Sequence, residues 1–122
     1  MIFSSSSQRC VRGFNRDGSL DFDISLHPTR AYDITYIKDS NTLAVTTGSG
    51  INQCISIIDV ESKKITETIP MKSYNDGIAS SNNTLFCCAG DRGLQIINLS
   101  DKSGKNITTS KMVRFAYVAT FC

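Results

Sequence analysis

Few residues in this 122-residue chain have the type and spacing that chemistry requires. His27 is the only histidine, so a His–His metal pair is excluded, and a Cys–His nucleophile needs a cysteine brought beside it by the fold. Placed before Pro28 at the end of a predicted strand, His27 reads as a loop residue. The five cysteines, Cys10, Cys54, Cys87, Cys88 and Cys122, are odd in number and contain no C-x-x-C pair. That pattern suits neither a zinc site nor a disulfide framework, and it fits a reduced intracellular setting, expected to be the cytoplasm. Cys87 and Cys88 share one predicted strand, where neighbouring side chains point to opposite faces, so they read as small core residues rather than a redox pair. Gly48-Ser49-Gly50 lacks the following helix that would complete a phosphate cradle. Asp21, Asp23, Asp33 and Asp39 lack the D-x-D-x-D-G spacing of a calcium loop, and Asp21 and Asp23 fall on the outer face of one strand. No catalytic residue, metal or cofactor is expected, and an enzyme with a metal in a central channel would need ligands from more repeat units than are present.

Binding chemistry is better represented. Arg30, Arg92 and Arg114, with Tyr32, Tyr74 and Tyr117, fall at the beginnings of repeat units or in loops between strands. Arg and Tyr are enriched at interaction hot spots, so these six are the expected partner contacts. Lys63 and Lys64, with Lys102 and Lys105, occupy equivalent turns and form a candidate basic stripe for phosphates or an acidic partner. The whole chain is nearly balanced, with 13 basic and 11 acidic residues interspersed, which gives no footprint for DNA or an anionic membrane. No apolar run approaches the roughly 18 residues of a membrane span. The start, Met1-Ile2-Phe3 followed by Ser4 to Ser7, lacks the features of a secretory signal, and the N-x-S/T triplets at Asn82, Asn98 and Asn106 matter only in a secreted protein.

The elements that position these residues emerge when the chain is slid along itself. Tyr32 and Tyr74 lie 42 positions apart, and the same offset sets Asn41-Thr42-Leu43 on Asn83-Thr84-Leu85 and Gly48 on Gly90. Farther on, Ile57-Ile58-Asp59-Val60 matches Ile96-Ile97-Asn98-Leu99 at an offset of 39, so a loop has lost three residues. Each copy reads as four short strands rich in β-branched residues. In the first these are Asp33–Ile37, Thr42–Thr46, Cys54–Val60 and Ile65–Ile69, joined by turns at 38–41 and 61–64. Ahead of them, Val11–Phe14, the turn Asn15-Arg16-Asp17-Gly18 and the alternating Leu20–Leu26 repeat the second half of the pattern.

Four-stranded units of this length are the signature of β-propeller blades. The expected fold is all-β, a partial β-propeller of four-stranded antiparallel blades, about two complete blades plus flanking strands. The expected organisation is a disordered serine-rich start over 1–9, outer strands of a preceding blade over 10–28, blades over 29–70 and 71–112, and the first strand of a further blade over 113–122.

The runs F-N-R-D-G-S-L-D-F-D-I (Phe14–Ile24), Y-D-I-T-Y-I (Tyr32–Ile37), I-I-D-V-E-S-K-K-I (Ile57–Ile65) and L-F-C-C-A-G-D-R-G-L-Q-I-I-N-L-S-D-K-S (Leu85–Ser103) add a family likeness. They resemble the C-terminal, NHL-like propeller of the B-box, tripartite-motif-like proteins expanded in bivalve molluscs. The resemblance implies a propeller that selects the partner which an upstream RING ubiquitinates. It carries no RING or B-box, since no zinc-binding Cys/His cluster is present. The function expected is a non-catalytic protein-interaction module. The alternatives are an RNA-binding NHL-type propeller, a truncated propeller fragment without independent function, and a chain that completes its ring by self-association.

Overall fold

A computed structural model describes residues 2–5, 9–26, 29–49, 52–71, 77–88 and 93–107. Among them run β1 (Ile2–Ser5), β2 (Cys10–Phe14), β3 (Leu20–Ser25), β4 (Arg30–Ile37), β5 (Thr42–Ser49), β6 (Asn52–Asp59), β7 (Lys64–Met71), β8 (Ile78–Ser81), β9 (Thr84–Cys88), β10 (Leu94–Asn98) and β11 (Gly104–Ile107). Strand order is β1-β2-β3 in the first sheet, β4-β5-β6-β7 in the second and β8-β9-β10-β11 in the third, and every pairing is antiparallel. Each connection within a sheet is therefore a hairpin between sequence neighbours.

The central sheet, β4 to β7, is covered on both faces. Leu43, Val45, Ile58 and Val60 pack with Val11, Phe22 and Leu26 of the first sheet. Ala44, Ile55 and Ile57 pack with Ile78, Leu85, Cys87 and Ile97 of the third. Side-chain alternation explains why Leu43-Ala44-Val45 and Ile57-Ile58 are unbroken apolar runs: successive residues serve different seams. Burial fades outward, and β7 is exposed from Lys64 to Thr68. At the β6–β7 pairing Ile57 stands opposite Glu67 while Ile58 stands opposite Ile65, so Thr66 is an extra residue whose hydroxyl donates to the Ile57 carbonyl at 3.3 Å.

The first sheet departs from expectation. Residues 1–9 read as a disordered serine-rich start, but Ile2–Ser5 form β1, with Ile2 opposite Phe14 and Ser5 opposite Val11. The physical reason is that β2 has a second edge whose backbone donors and acceptors need partners, and a short segment adjacent in sequence supplies them. This sheet thus has three strands rather than the two expected over 10–28. Residues 113–122, expected to open a further blade, lie outside the described residues.

Gly13 in β2 is required by packing. A Cβ there would collide with the ring of Phe22, its cross-strand neighbour. Gly13→Val is expected to lower stability by about 1–3 kcal/mol through overpacking, read as a fall in the urea midpoint with an unchanged slope.

Candidate protein-interaction faces

Antiparallel order divides the molecule into two faces. On the turn face stand the β2–β3 turn at Asn15–Ser19, the β4–β5 turn at Lys38–Asn41, the β6–β7 turn at Val60–Lys63, and the corresponding β8–β9 and β10–β11 turns. They are built alike in successive sheets. Asn41 (φ 51°) and Asn83 (φ 62°) are left-handed, and their carbonyls accept the N–H of Val60 at 3.2 Å and of Leu99 at 3.0 Å. Lys63 and Lys102, both at φ 61°, donate their N–H to Asp59 and Asn98, each at 2.8 Å. Asparagine tolerates this conformation because its short amide bonds locally. The offset Asn41-Thr42-Leu43 on Asn83-Thr84-Leu85 is thus a repeat of conformation as well as of sequence.

Three turn aspartates fix these turns. Asp17 accepts the hydroxyl of Ser19 at 2.6 Å and its N–H at 2.9 Å, Asp59 accepts the N–H of Ser62 at 2.8 Å, and Asp101 accepts that of Ser103 at 2.8 Å. These serine hydrogen bonds hold all three carboxyls below the usual aspartate range. A depressed folded-state value contributes stability that is present above the unfolded aspartate value, near 3.9, and lost as pH falls through the folded one. Carbon-detected NMR titration is expected to give low midpoints for Asp17, Asp59 and Asp101, and Ser19→Ala is expected to move only Asp17 back upward.

The lysines of the candidate basic stripe are placed as follows. Lys63 reaches Asp21 on β3 at 3.5 Å, and Lys102 reaches Glu67 on β7 at 3.4 Å. Each therefore crosses to the outer strand of the preceding sheet. Lys64 is exposed, and Lys105 lies in β11 opposite Ile96. Such exposed pairs stabilise by about 0–1 kcal/mol each, but they leave less unpaired positive charge at these turns than the sequence alone offers. Asp23 pairs instead with Arg12, at 3.1 Å.

On the opposite face, called here the leading face, the inner strand of each sheet begins. Arg30 is the first residue of β4, is exposed and makes no ion pair among the described residues; Tyr32 is 37% exposed. Tyr74, Arg92, Arg114 and Tyr117, like His27, lie outside the described residues. The two candidate sets therefore occupy opposite faces as far as they are described, Arg30 and Tyr32 on one, Lys63, Lys64 and Lys102 on the other.

The seam between the inner strands holds contacts the sequence did not single out. The Asp33 carboxylate accepts the N–H of Ile78 at 3.0 Å, tying β4 to β8. Thr35 and Ser80 share a hydroxyl hydrogen bond at 3.1 Å, and Ser80 also donates to the Tyr36 carbonyl at 3.2 Å. Below this seam a cleft of about 170 Å³ opens on the turn face between Lys38, Asp39 and Asn82-Asn83. Among the described residues no three His, Cys, Asp or Glu side chains gather as a metal site would require, and no helix is long and apolar enough to cross a membrane. Cys10, Cys54 and Cys87 are free thiols. Cys87 and Cys88 are both buried, and the one-residue alternation turns them to different faces of β9.

Four-stranded antiparallel sheets packed face to face, inner strand beside inner strand, with turns repeated in register, define a β-propeller architecture. Solved structures agree on the type. The chain is similar to the crystal structure of RRP9 WD40 repeats (TM-score 0.74, 17% identity, 89% of this chain and 35% of that one). It is also similar to the structure of U3-55K (TM-score 0.73, 17% identity, 87% and 35%) and to the crystal structure of Saccharomyces cerevisiae Sqt1 (TM-score 0.69, 14% identity, 84% and 29%). The chain has the fold of part of a WD40 β-propeller and spans about a third of the length of the solved chains it matches. No family model and no curated protein matches it. At these identities the likeness is one of fold, and it does not extend to the NHL-like, tripartite-motif-like ascription, which rests on the sequence runs alone.

Proposed function

We propose that this chain is a non-catalytic protein-interaction module that engages its partner with the leading face. The observation that carries this reading is the placement of an exposed Arg30, without an ion pair among the described residues, beside the partly exposed Tyr32 at the start of an inner strand packed on both sides. A cation and an aromatic on a fixed scaffold bind with little conformational entropy lost. Arg92, Arg114, Tyr74 and Tyr117 extend the contact set by their places in the repeat. The finer reading, a substrate-selecting propeller of a tripartite-motif-like ubiquitin ligase in the cytoplasm, is supported by the resemblance of the four sequence runs. It assigns ubiquitin transfer to modules of a longer protein and recognition to this one.

RNA binding through the turn lysines is the second reading, supported by the exposed Lys64. The pairing of Lys63 and Lys102 with acids weighs against it.

The test is photo-crosslinking with a benzophenone amino acid at Tyr32 or, as a control, at Lys38, followed by affinity measurement on the captured protein. Capture is expected from position 32, and Arg30→Ala/Tyr32→Ala is expected to weaken affinity by about 30-fold, the scale of a hot-spot loss of roughly 2 kcal/mol. Equal capture from both positions, with affinity unchanged in the double variant, would remove the leading face from the reading.

A further inference from the structure

We infer that Thr66 is a phosphorylation site, the acceptor for a serine/threonine kinase whose substrate groove is acidic. The site lies on the outer strand of the central sheet and uses Lys63 and Lys64, which the reading of the leading face leaves without a role. Lys63-Lys64 is the one pair of adjacent basic residues in the sequence, and it stands three and two positions ahead of Thr66. In an extended chain, residues two apart emerge on the same side at about 6.6 Å, so carboxylates that hold both ammonium groups fix where the Thr66 hydroxyl falls. Two other hydroxyls follow a basic residue by three, Ser19 after Arg16 and Thr108 after Lys105, each with a single cation in place of two. The Ser19 hydroxyl is moreover bound to the Asp17 carboxylate at 2.6 Å.

The structure presents Thr66 for such a reaction. β7 ends the strand order of its sheet, and Lys64 to Thr68 are all exposed. The bulge leaves Thr66 without a partner in the ladder, and its hydroxyl reaches only the Ile57 carbonyl, at 3.3 Å. Farther along the strand Ile69 and Met71 are buried in the seam with the third sheet and anchor it there. The exposed half is held by its ladder bonds to β6 and by two exposed ion pairs, Lys63 to Asp21 at 3.5 Å and Lys102 to Glu67 at 3.4 Å. Opening that half withdraws no buried apolar side chain of β7, the condition for a low-cost local opening.

Charges around the site leave the two lysines free to be read. Lys64 makes no ion pair among the described residues, and the pair of Lys63 with Asp21 is of the weak, exposed kind. Asp59, opposite Lys64, accepts the N–H of Ser62 at 2.8 Å; Glu67, next to the acceptor, is paired with Lys102; Glu61 is exposed in the turn. In the transfer the Thr66 Oγ attacks the γ-phosphorus of ATP. An O–P bond forms, the bond from that phosphorus to the bridging oxygen breaks, ADP leaves, and the hydroxyl proton passes to a carboxylate base of the kinase. The product loses the donor to the Ile57 carbonyl and sets a phosphate beside Glu67, and both changes loosen β7 from β6.

The experiment incubates the 122-residue chain with magnesium ATP and the catalytic subunit of cyclic-AMP-dependent protein kinase, and locates phosphate by mass spectrometry after digestion at glutamates. Thr66 is expected to be the main acceptor, with Thr66→Ala cutting incorporation about tenfold. Lys63→Gln/Lys64→Gln is expected to slow labelling about thirtyfold and Lys64→Gln alone about fivefold, whereas Lys38→Gln changes it less than about twofold. Circular dichroism checks that the variants melt as the parent does, and Lys64→Gln, at an exposed position without an ion pair, keeps the test decisive if the double variant fails to fold. A synthetic peptide of residues 59–70 is the reference, and the folded chain is expected to be labelled within about tenfold of the peptide's rate. Labelling of the peptide but not of the folded chain would overturn the inference, because the bulge would then be closed to the kinase. No labelling of either, preferential labelling of Ser19, Thr68 or Thr108, or equal rates for Lys64→Gln and the parent would each overturn it as well.

Discussion

Ile58→Ala is expected to lower the stability of the chain by about 2–5 kcal/mol, the cost of removing a buried aliphatic side chain and leaving a cavity. Ile58 is fully buried in the seam between the first two sheets, among Val11, Phe22, Leu43 and Val45. Its cross-strand neighbour Ile65 is 42% exposed on the outer strand, so Ile65→Ala is expected to cost well under half as much. The two substitutions remove the same atoms from directly paired positions and differ only in whether a neighbouring sheet covers them. Urea denaturation of both variants measures that difference, and equal costs would mean that no sheet covers Ile58.

The second large effect is expected at Asp33. Its carboxylate bridges two sheets through the N–H of Ile78, and its own N–H donates to the Thr46 hydroxyl at 3.0 Å. Asp33→Ala leaves a buried donor without its acceptor and is expected to cost about 1–3 kcal/mol. Asp33→Asn keeps an acceptor oxygen in place and is expected to cost less than half of that. Amide hydrogen exchange should localise the effect, with protection at Ile78 falling in Asp33→Ala while β6 amides, on the far side of the sheet, keep theirs. A uniform loss across all three sheets would show that Asp33 supports the fold generally and not this seam.

How much of this could be read from residues alone varies by element. The central sheet was legible because its strands are bounded by recognisable turns and because Leu43-Ala44-Val45 and Ile57-Ile58 are apolar on both faces, which only a doubly covered sheet tolerates. The repeat was legible because left-handed Asn41 and Asn83 constrain the same turn in each copy. β1 was hidden, since Ile2–Ser5 carries no alternation and its strand character comes from the open edge of β2. The Asp33 latch was hidden for another reason: a carboxylate accepting a backbone N–H 45 residues away has no local signature. The lysines were visible as residue types, but their acids lie on a neighbouring sheet, so the pairing of Lys63 with Asp21 and of Lys102 with Glu67 needed the three-dimensional arrangement. The separation of Arg30 and Tyr32 from those lysines follows simply from strand direction once the hairpins are known. Which face binds could not be read from type, because Arg, Lys and Tyr occur at both.

The radial packing of inner strand against inner strand underlies both faces, and one cross-link tests it directly. Thr35 and Ser80, whose hydroxyl oxygens are 3.1 Å apart across the β4–β8 seam, are replaced together as Thr35→Cys/Ser80→Cys and oxidised mildly. A disulfide needs β-carbons about 3.5–4.5 Å apart. The control, Thr35→Cys/Thr66→Cys, sets the second thiol on β7, three strands away in the same sheet and about 14 Å distant at ordinary strand spacing. Rapid formation of the 35–80 disulfide, seen by mass spectrometry of the digested chain, with none between 35 and 66, is the expected result. Failure of 35 and 80 to link, or equal linking of both pairs, would contradict the stacking of the second and third sheets as neighbouring blades.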